Sequence, residues 1–117
     1  MTVRRVASKY GAKKTQVDGI TFDSRAEAAR FLELKALERA GQITNLELQP
    51  KFELAPAVKL GGRTKPALRY IADFRYIDHL GNVVVEDVKG VRTDSYQIKR
   101  HMMKFVHGIE ITEVRKR

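Results

Sequence analysis

The 117-residue chain contains no cysteine, which removes disulfide staples and thiolate metal sites and leaves carboxylate, carbonyl, imidazole or water oxygen and nitrogen for any bound metal. That points toward a hard cation. No apolar run approaches the roughly 20 residues that cross a bilayer, and the start MTVRRVASKYGAKK lacks the apolar stretch of a secretory signal, so no membrane association and a cytoplasmic location are expected. Acidic residues are scarce, 14 against 23 Lys plus Arg, for a formal charge of +9. Such an excess favours polyanionic partners, above all nucleic acid. The sequence also lacks internal repeats, a glycine-rich phosphate loop and an HExxH motif, and its three histidines assemble no Ser-His-Asp pattern. Any chemistry has to come from carboxylates and lysines.

What is present suits one domain with a single modest core, apolar residues making up 43%. Residues 1–22 read as a basic flexible arm carrying Lys9, Lys13 and Lys14, and residues 23–117 as the folded domain. Ser24 followed by Glu27 fits a capping box, and Ala28, Phe31, Leu32, Leu34 and Leu37 form an apolar stripe, which predicts a helix over 24–40. ITNLELQPKFEL alternates as a strand interrupted at Pro50. Residues 55–66, with two prolines, Gly61-Gly62 and the cations Lys59, Arg63 and Lys65, read as an exposed loop able to lie along a phosphate backbone. LRYIADFRYID and NVVVEDVKG read as the two strands of a hairpin. A second helix is expected from a capping box at Asp94 and Gln97 with apolar residues Tyr96 and Ile98, or Ile98, Met102 and Phe105, at helical spacing, followed by a last strand in IEITEV.

Side chains alternate faces along a strand, so Asp87 and Lys89 project to one side about 6.6 Å apart while Glu86 faces the other. Hairpin pairing can bring Asp73 beside Asp87. Carboxylates in half-buried strands are costly unless paired or metal-bound. A divalent cation accounts for their clustering; so does a salt bridge from either carboxylate to Lys89 or Arg75 on a solvated sheet face.

IADF, followed thirteen residues after Asp73 by EDVKG, resembles the signature of the PD-(D/E)XK nucleases, with Ala72 in the place of the proline and Asp87-Val88-Lys89 as the (D/E)XK half. Glu27 matches the acidic residue that this superfamily carries on the helix before the core hairpin, where a capping-box role is the competing explanation. From KYGAKK through FDSRAEAARF and EDVKG to YQIKR, nearly the whole chain is similar to a phage-associated group of small proteins assigned to that superfamily. The resemblance implies an α/β, restriction-endonuclease-like core, a mixed central sheet of about four strands flanked by two helices. It also implies Mg²⁺ or Mn²⁺ held by Asp73, Asp87, Glu27 and the Val88 carbonyl, with Lys89 stabilising charge on the phosphate. Gln97 and Lys99 would contact the DNA near the scissile bond. The implied activity is an endonuclease acting on phage, recombination or replication intermediates such as branched DNA, in the host cytoplasm if phage-encoded. A non-catalytic basic nucleic-acid-binding module using the same arm and loop is the alternative, an accessory binding an acidic protein a third. Homodimer formation is left open.

Overall fold

A computed structural model of the chain describes residues 14–115. The elements run β1 (Thr15–Val17), β2 (Ile20–Phe22), α1 (Arg25–Arg39), β3 (Thr44–Leu48), β4 (Lys51–Ala55), β5 (Val58–Leu60), β6 (Arg63–Lys65), β7 (Leu68–Ile71), β8 (Phe74–Ile77), β9 (Val83–Lys89), α2 (Asp94–His107) and β10 (Thr112–Arg115). The fold is α/β. Its central sheet has the order β10-β9-β8-β3 and is mixed, β10 running parallel to β9 across the α2 connection while the other neighbours are antiparallel.

The expected arm loses its C-terminal part to the fold. Residues 15–22 form a hairpin, turning at Asp18 and Gly19 with positive φ, and its last residue, Phe22, is buried against Phe31 with ring centroids 5.1 Å apart. Lys9 and Lys13 lie outside the described residues. Lys14 is exposed just before β1.

Helix α1 begins as its sequence dictates. Ser24 Oγ accepts the backbone N–H of Glu27 at 3.2 Å, satisfying one of the donors that a helix start leaves without an intrahelical acceptor. Its buried face is narrower than the apolar stripe: Ala28, Phe31 and Leu34 are buried, whereas Leu32 and Leu37 remain exposed. Helix α2 is capped one residue earlier than expected, because Thr93 rather than Asp94 supplies the capping oxygen, accepting Tyr96 N–H at 3.1 Å. Its register differs too. Tyr96 and Met103 are buried, while Ile98 and Phe105 of the expected stripe are 65% and 80% exposed.

The strand interrupted at Pro50 becomes two, β3 and β4, and a matching break at Ala72-Asp73 separates β7 from β8. β3 pairs with β8, and β4 with β7. At the junction Gln49 N–H donates to Asp73 O and Ala72 N–H to Pro50 O, so the two bends face each other and hold together without a regular ladder. Residues 58–65 are a hairpin instead of the expected loop, since consecutive glycines at positions 61 and 62 take the positive φ values, 58° and 77°, that a two-residue turn needs.

Alternation along β9 divides the core. Val85 packs with Phe52, Leu54, Tyr70, Tyr96, Met103 and Ile111 on the α2 side; Val84 and Val88 pack with Phe22, Phe31, Leu34, Phe74 and Tyr76 on the α1 side. Burying each large aliphatic or aromatic side chain contributes about 1.5–3 kcal/mol, so both faces of the sheet are anchored. Residues 86–89 therefore present alternate side chains to two different buried environments.

Candidate active site

Asp73 sits where the chain changes strand partners. Its backbone N–H donates to Glu86 O at 3.1 Å, as in a ladder with β9, but it precedes the first regular residue of β8. Released from strict strand geometry, its carboxylate turns back along β9, where Oδ2 accepts Val88 N–H at 2.7 Å. The bend opposite Pro50 thus places a carboxylate, 5% exposed, beside Asp87 and Val88.

Asp87, also 5% exposed, faces the α2 side. Its Oδ2 accepts the Tyr70 hydroxyl at 2.7 Å and lies 2.9 Å from Lys89 Nζ. Lys89 in turn holds its ammonium 4.0 Å from the centre of the Tyr96 ring, where the π face attracts a cation. Burial, reinforced by the Asp87 charge, pushes the Tyr70 phenol far above its ordinary pKa, so Tyr70 is a fixed donor to the carboxylate. Tyr96 is raised by burial and by its hydrogen bond to Glu113 at 2.7 Å. Burial acts to raise the Glu113 carboxyl, but the Tyr96 hydroxyl and the guanidinium of Arg92 outweigh it and hold the group below the usual range.

Tyr70, Asp73, Asp87, Val88, Lys89 and Tyr96 line one open cleft of about 390 Å³ with Glu27, Arg69, Ile71, Thr93, Ser95 and Lys99. Of the residues expected from sequence, the cleft gathers Glu27, Asp73, Asp87, Val88, Lys89 and Lys99. Gln97 is exposed on α2 and is not among the residues lining the cleft, and Arg63 and Lys65 are exposed on β6, in a separate two-stranded ribbon. Glu27 donates its backbone N–H to the Ser24 cap and lines the cleft. Sequence reasoning missed Tyr70, Tyr96, Arg69, Thr93 and Ser95. The only signal for Tyr70 was its position on the same run as Asp73; the cap residue Thr93 brings the positive end of the α2 dipole to the cleft, which favours an anion there.

The donor set is oxygen throughout: three carboxylates and, at Val88, a main-chain carbonyl on the strand between two of the site residues. Those are ligands of the kind that hard divalent cations take, and the residues fit such an ion chemically. Among the described residues no three His, Asp or Glu side chains stand close enough to form a metal cluster as they are placed, and Asp87 is engaged by Lys89 and Tyr70. Among the described residues no helix is long and apolar enough to cross a membrane.

The family model described as "Protein of unknown function (DUF1064)" matches residues 7–115, and the chain belongs to that family. No curated protein matches the sequence.

Proposed function

We propose that the chain is a divalent-metal-dependent endodeoxyribonuclease of the PD-(D/E)XK type, acting in the cytoplasm on DNA intermediates such as branched molecules. The observation that carries this reading is the convergence of Glu27, Asp73, Asp87 and Lys89, drawn from α1, the β7–β8 bend and β9, on one cleft rimmed by Arg69 and Lys99. Four charged groups from distant parts of the sequence do not collect around an open, polar cleft for stability alone, since each loses hydration there.

Asp73, Asp87 and Glu27 with the Val88 carbonyl would hold Mg²⁺ or Mn²⁺, which when bound polarises a phosphate and generates hydroxide from water. Lys89, steadied by Asp87 and the Tyr96 ring, places its ammonium where negative charge grows on the phosphate oxygens. Tyr70 fixes the Asp87 carboxylate in orientation. Arg69 and Lys99 neutralise the neighbouring phosphates, and the amino end of α2 adds to the same field.

One observation favours a second reading. The Lys89–Asp87 ion pair and the Tyr70 hydrogen bond both fall on Asp87 Oδ2 and compensate its charge without a metal, as a non-catalytic nucleic-acid-binding module would require. Incubation with linear, nicked, flapped and four-way DNA in Mg²⁺, Mn²⁺ or EDTA separates the two. Cleavage that needs the cation and disappears in Asp87→Asn is expected; metal-independent binding without cleavage of any form selects the binding module.

A further inference from the structure

Hairpin β5–β6 stands apart from the rest of the fold. Among the described residues its strands pair only with each other, and every residue from 56 to 66 is exposed. An isolated two-stranded ribbon is marginal in water, so one held out this way gains little from its own contacts. Directly paired residues share a face, and the pairs Val58↔Lys65 and Leu60↔Arg63 set two aliphatic and two cationic side chains on one side, with Lys59 and Thr64 on the other. Val58 and Leu60 are 49% and 60% exposed. Residues 56–69 hold four cations, Lys59, Arg63, Lys65 and Arg69, and no acid. After the ribbon the chain enters β7, whose Arg69 and Tyr70 line the cleft.

We infer that this ribbon enters the major groove of duplex DNA beside the cleft, with Val58 and Leu60 against base edges and Arg63 and Lys65 reaching the flanking phosphates. The inference rests on the nuclease reading for its substrate. Strands about 4.8 Å apart, with their side chains, make a blade that fits a groove roughly 12 Å wide, and aliphatic side chains find thymine methyl groups there. Four like charges in fourteen residues disfavour pairing of the ribbon with a second copy and match a polyanion. The tight Gly61-Gly62 turn keeps the tip slim enough for Leu60 to reach the groove floor. Substrate shape would then be read by the angle between the ribbon in one duplex arm and the cleft at the scissile phosphate.

Binding of the full chain to a short B-form DNA duplex, measured by fluorescence anisotropy in EDTA across a salt series, tests this without reference to cleavage. Arg63→Ser with Lys65→Ser is expected to lower the slope of log affinity against log salt by about 1.8, two phosphate contacts at about 0.9 each. Leu60→Ser is expected to weaken binding about 5-fold with the slope unchanged, since it removes apolar contact alone. Methylation protection should fall on guanine N7 in the major groove and require about 5-fold more protein in Leu60→Ser. An A-form RNA duplex, whose major groove is too deep and narrow for a ribbon, should bind no differently to the variants and the wild type. Circular dichroism checks that the exposed substitutions leave the fold intact. Unchanged DNA affinity in both variants, protection only at adenine N3, or a concentration-dependent dimer abolished by Leu60→Ser would each overturn the ribbon's role. Metal-dependent cleavage by such variants at the wild-type level would leave the nuclease reading standing; a wild type that binds and cleaves no DNA removes both.

Discussion

Glu86 and Asp87 are neighbours in sequence, both acidic and both buried, at 1% and 5% exposure, yet they belong to different worlds. On the α1 face Arg30 donates to both oxygens of Glu86, at 2.8 and 2.6 Å, and the Tyr76 hydroxyl donates to one of them as well. That cluster is closed. The Glu86 carboxylate holds the Arg30 guanidinium firmly protonated, and the pair ties helix to sheet. On the α2 face Asp87 likewise receives a tyrosine hydroxyl and a cation, but Lys89 is a single flexible point charge, and the space beyond it opens into the cleft with Asp73 and Glu27. A bidentate, planar partner completes a carboxylate; a lone ammonium leaves it able to take another ligand. Burial of an acid is thus no measure of its role. What distinguishes the two is whether the partner saturates it.

The largest expected effect breaks the open side. Asp87→Asn keeps shape and loses charge, so cleavage should fall by roughly 10³-fold or more, the several kcal/mol that a bound cation supplies to the transition state. The divalent-induced rise in melting temperature should vanish with it. Lys89→Ala should lose about 10²- to 10³-fold in cleavage while keeping that rise, because the ammonium acts on the transition state and not on the cation. An Asp87→Asn protein that still cleaves would place the cation elsewhere.

Breaking the closed side should do the reverse. Glu86→Ala strands Arg30 against the sheet and should cost about 3 kcal/mol in urea unfolding, near the lower end for a broken buried pair because the Arg30 side chain is 22% exposed. Its folded fraction should retain the divalent-induced rise in melting temperature. Loss of that response in Glu86→Ala without loss of stability would reverse the assignment of the two faces.

This contrast was half visible in the sequence. The two-residue period of a strand separates Asp87 and Lys89 from Glu86 without any structure, and the capping signal at Ser24 places Glu27 in the first turn of α1. The partner of Glu86 was not visible: Arg30 lies 56 residues away on a helix, among many cations of which no local pattern favours one. Asp73 was expected inside a strand and lies at a bend, because the break at Pro50 faces it across the paired strands, a tertiary consequence of a local break. The register of α2 was hidden for a related reason. Tyr96 is buried and Met102 packs in part against the same cluster, but Ile98 and Phe105, at the same helical spacing, are exposed, and Met103 is the residue that completes the buried face with Tyr70 and Val85. Residues 58–65 read as loop since neither strand alternates apolar with polar toward a core; both of its faces are exposed, so the periodic signal that marks ordinary strands has no cause to exist there.

A smaller effect sharpens the comparison at the tyrosines. Tyr70→Phe removes a buried hydroxyl that donates to a charged acceptor, and should cost about 1.5 kcal/mol in stability. Asp87 would keep Lys89 but lose its fixed orientation, so cleavage should drop by about 10-fold, against little change in the affinity for DNA measured in EDTA. Equal activity in Tyr70→Phe would show that Lys89 alone positions the carboxylate.

The last effect is silent at neutral pH and appears only in alkali, on the closed face. Burial, then the hydrogen bond to Glu86, pushes the Tyr76 phenol from its ordinary 10.0 up to about 12. A raised folded-state value means that the native chain keeps a proton which the unfolded chain releases. The contribution is therefore complete below pH 10.0 and drains away as pH rises toward about 12. Urea unfolding across that window should show the wild type losing stability more steeply than Tyr76→Phe, which has no phenol to ionise, and the two curves should run parallel below it. Since Tyr70 on the open face titrates still higher, it adds the same steepness to both proteins and cancels from their difference. Parallel curves throughout would mean that Glu86 is held by Arg30 alone, and the closed cluster would then differ from the open one only in the identity of its cation.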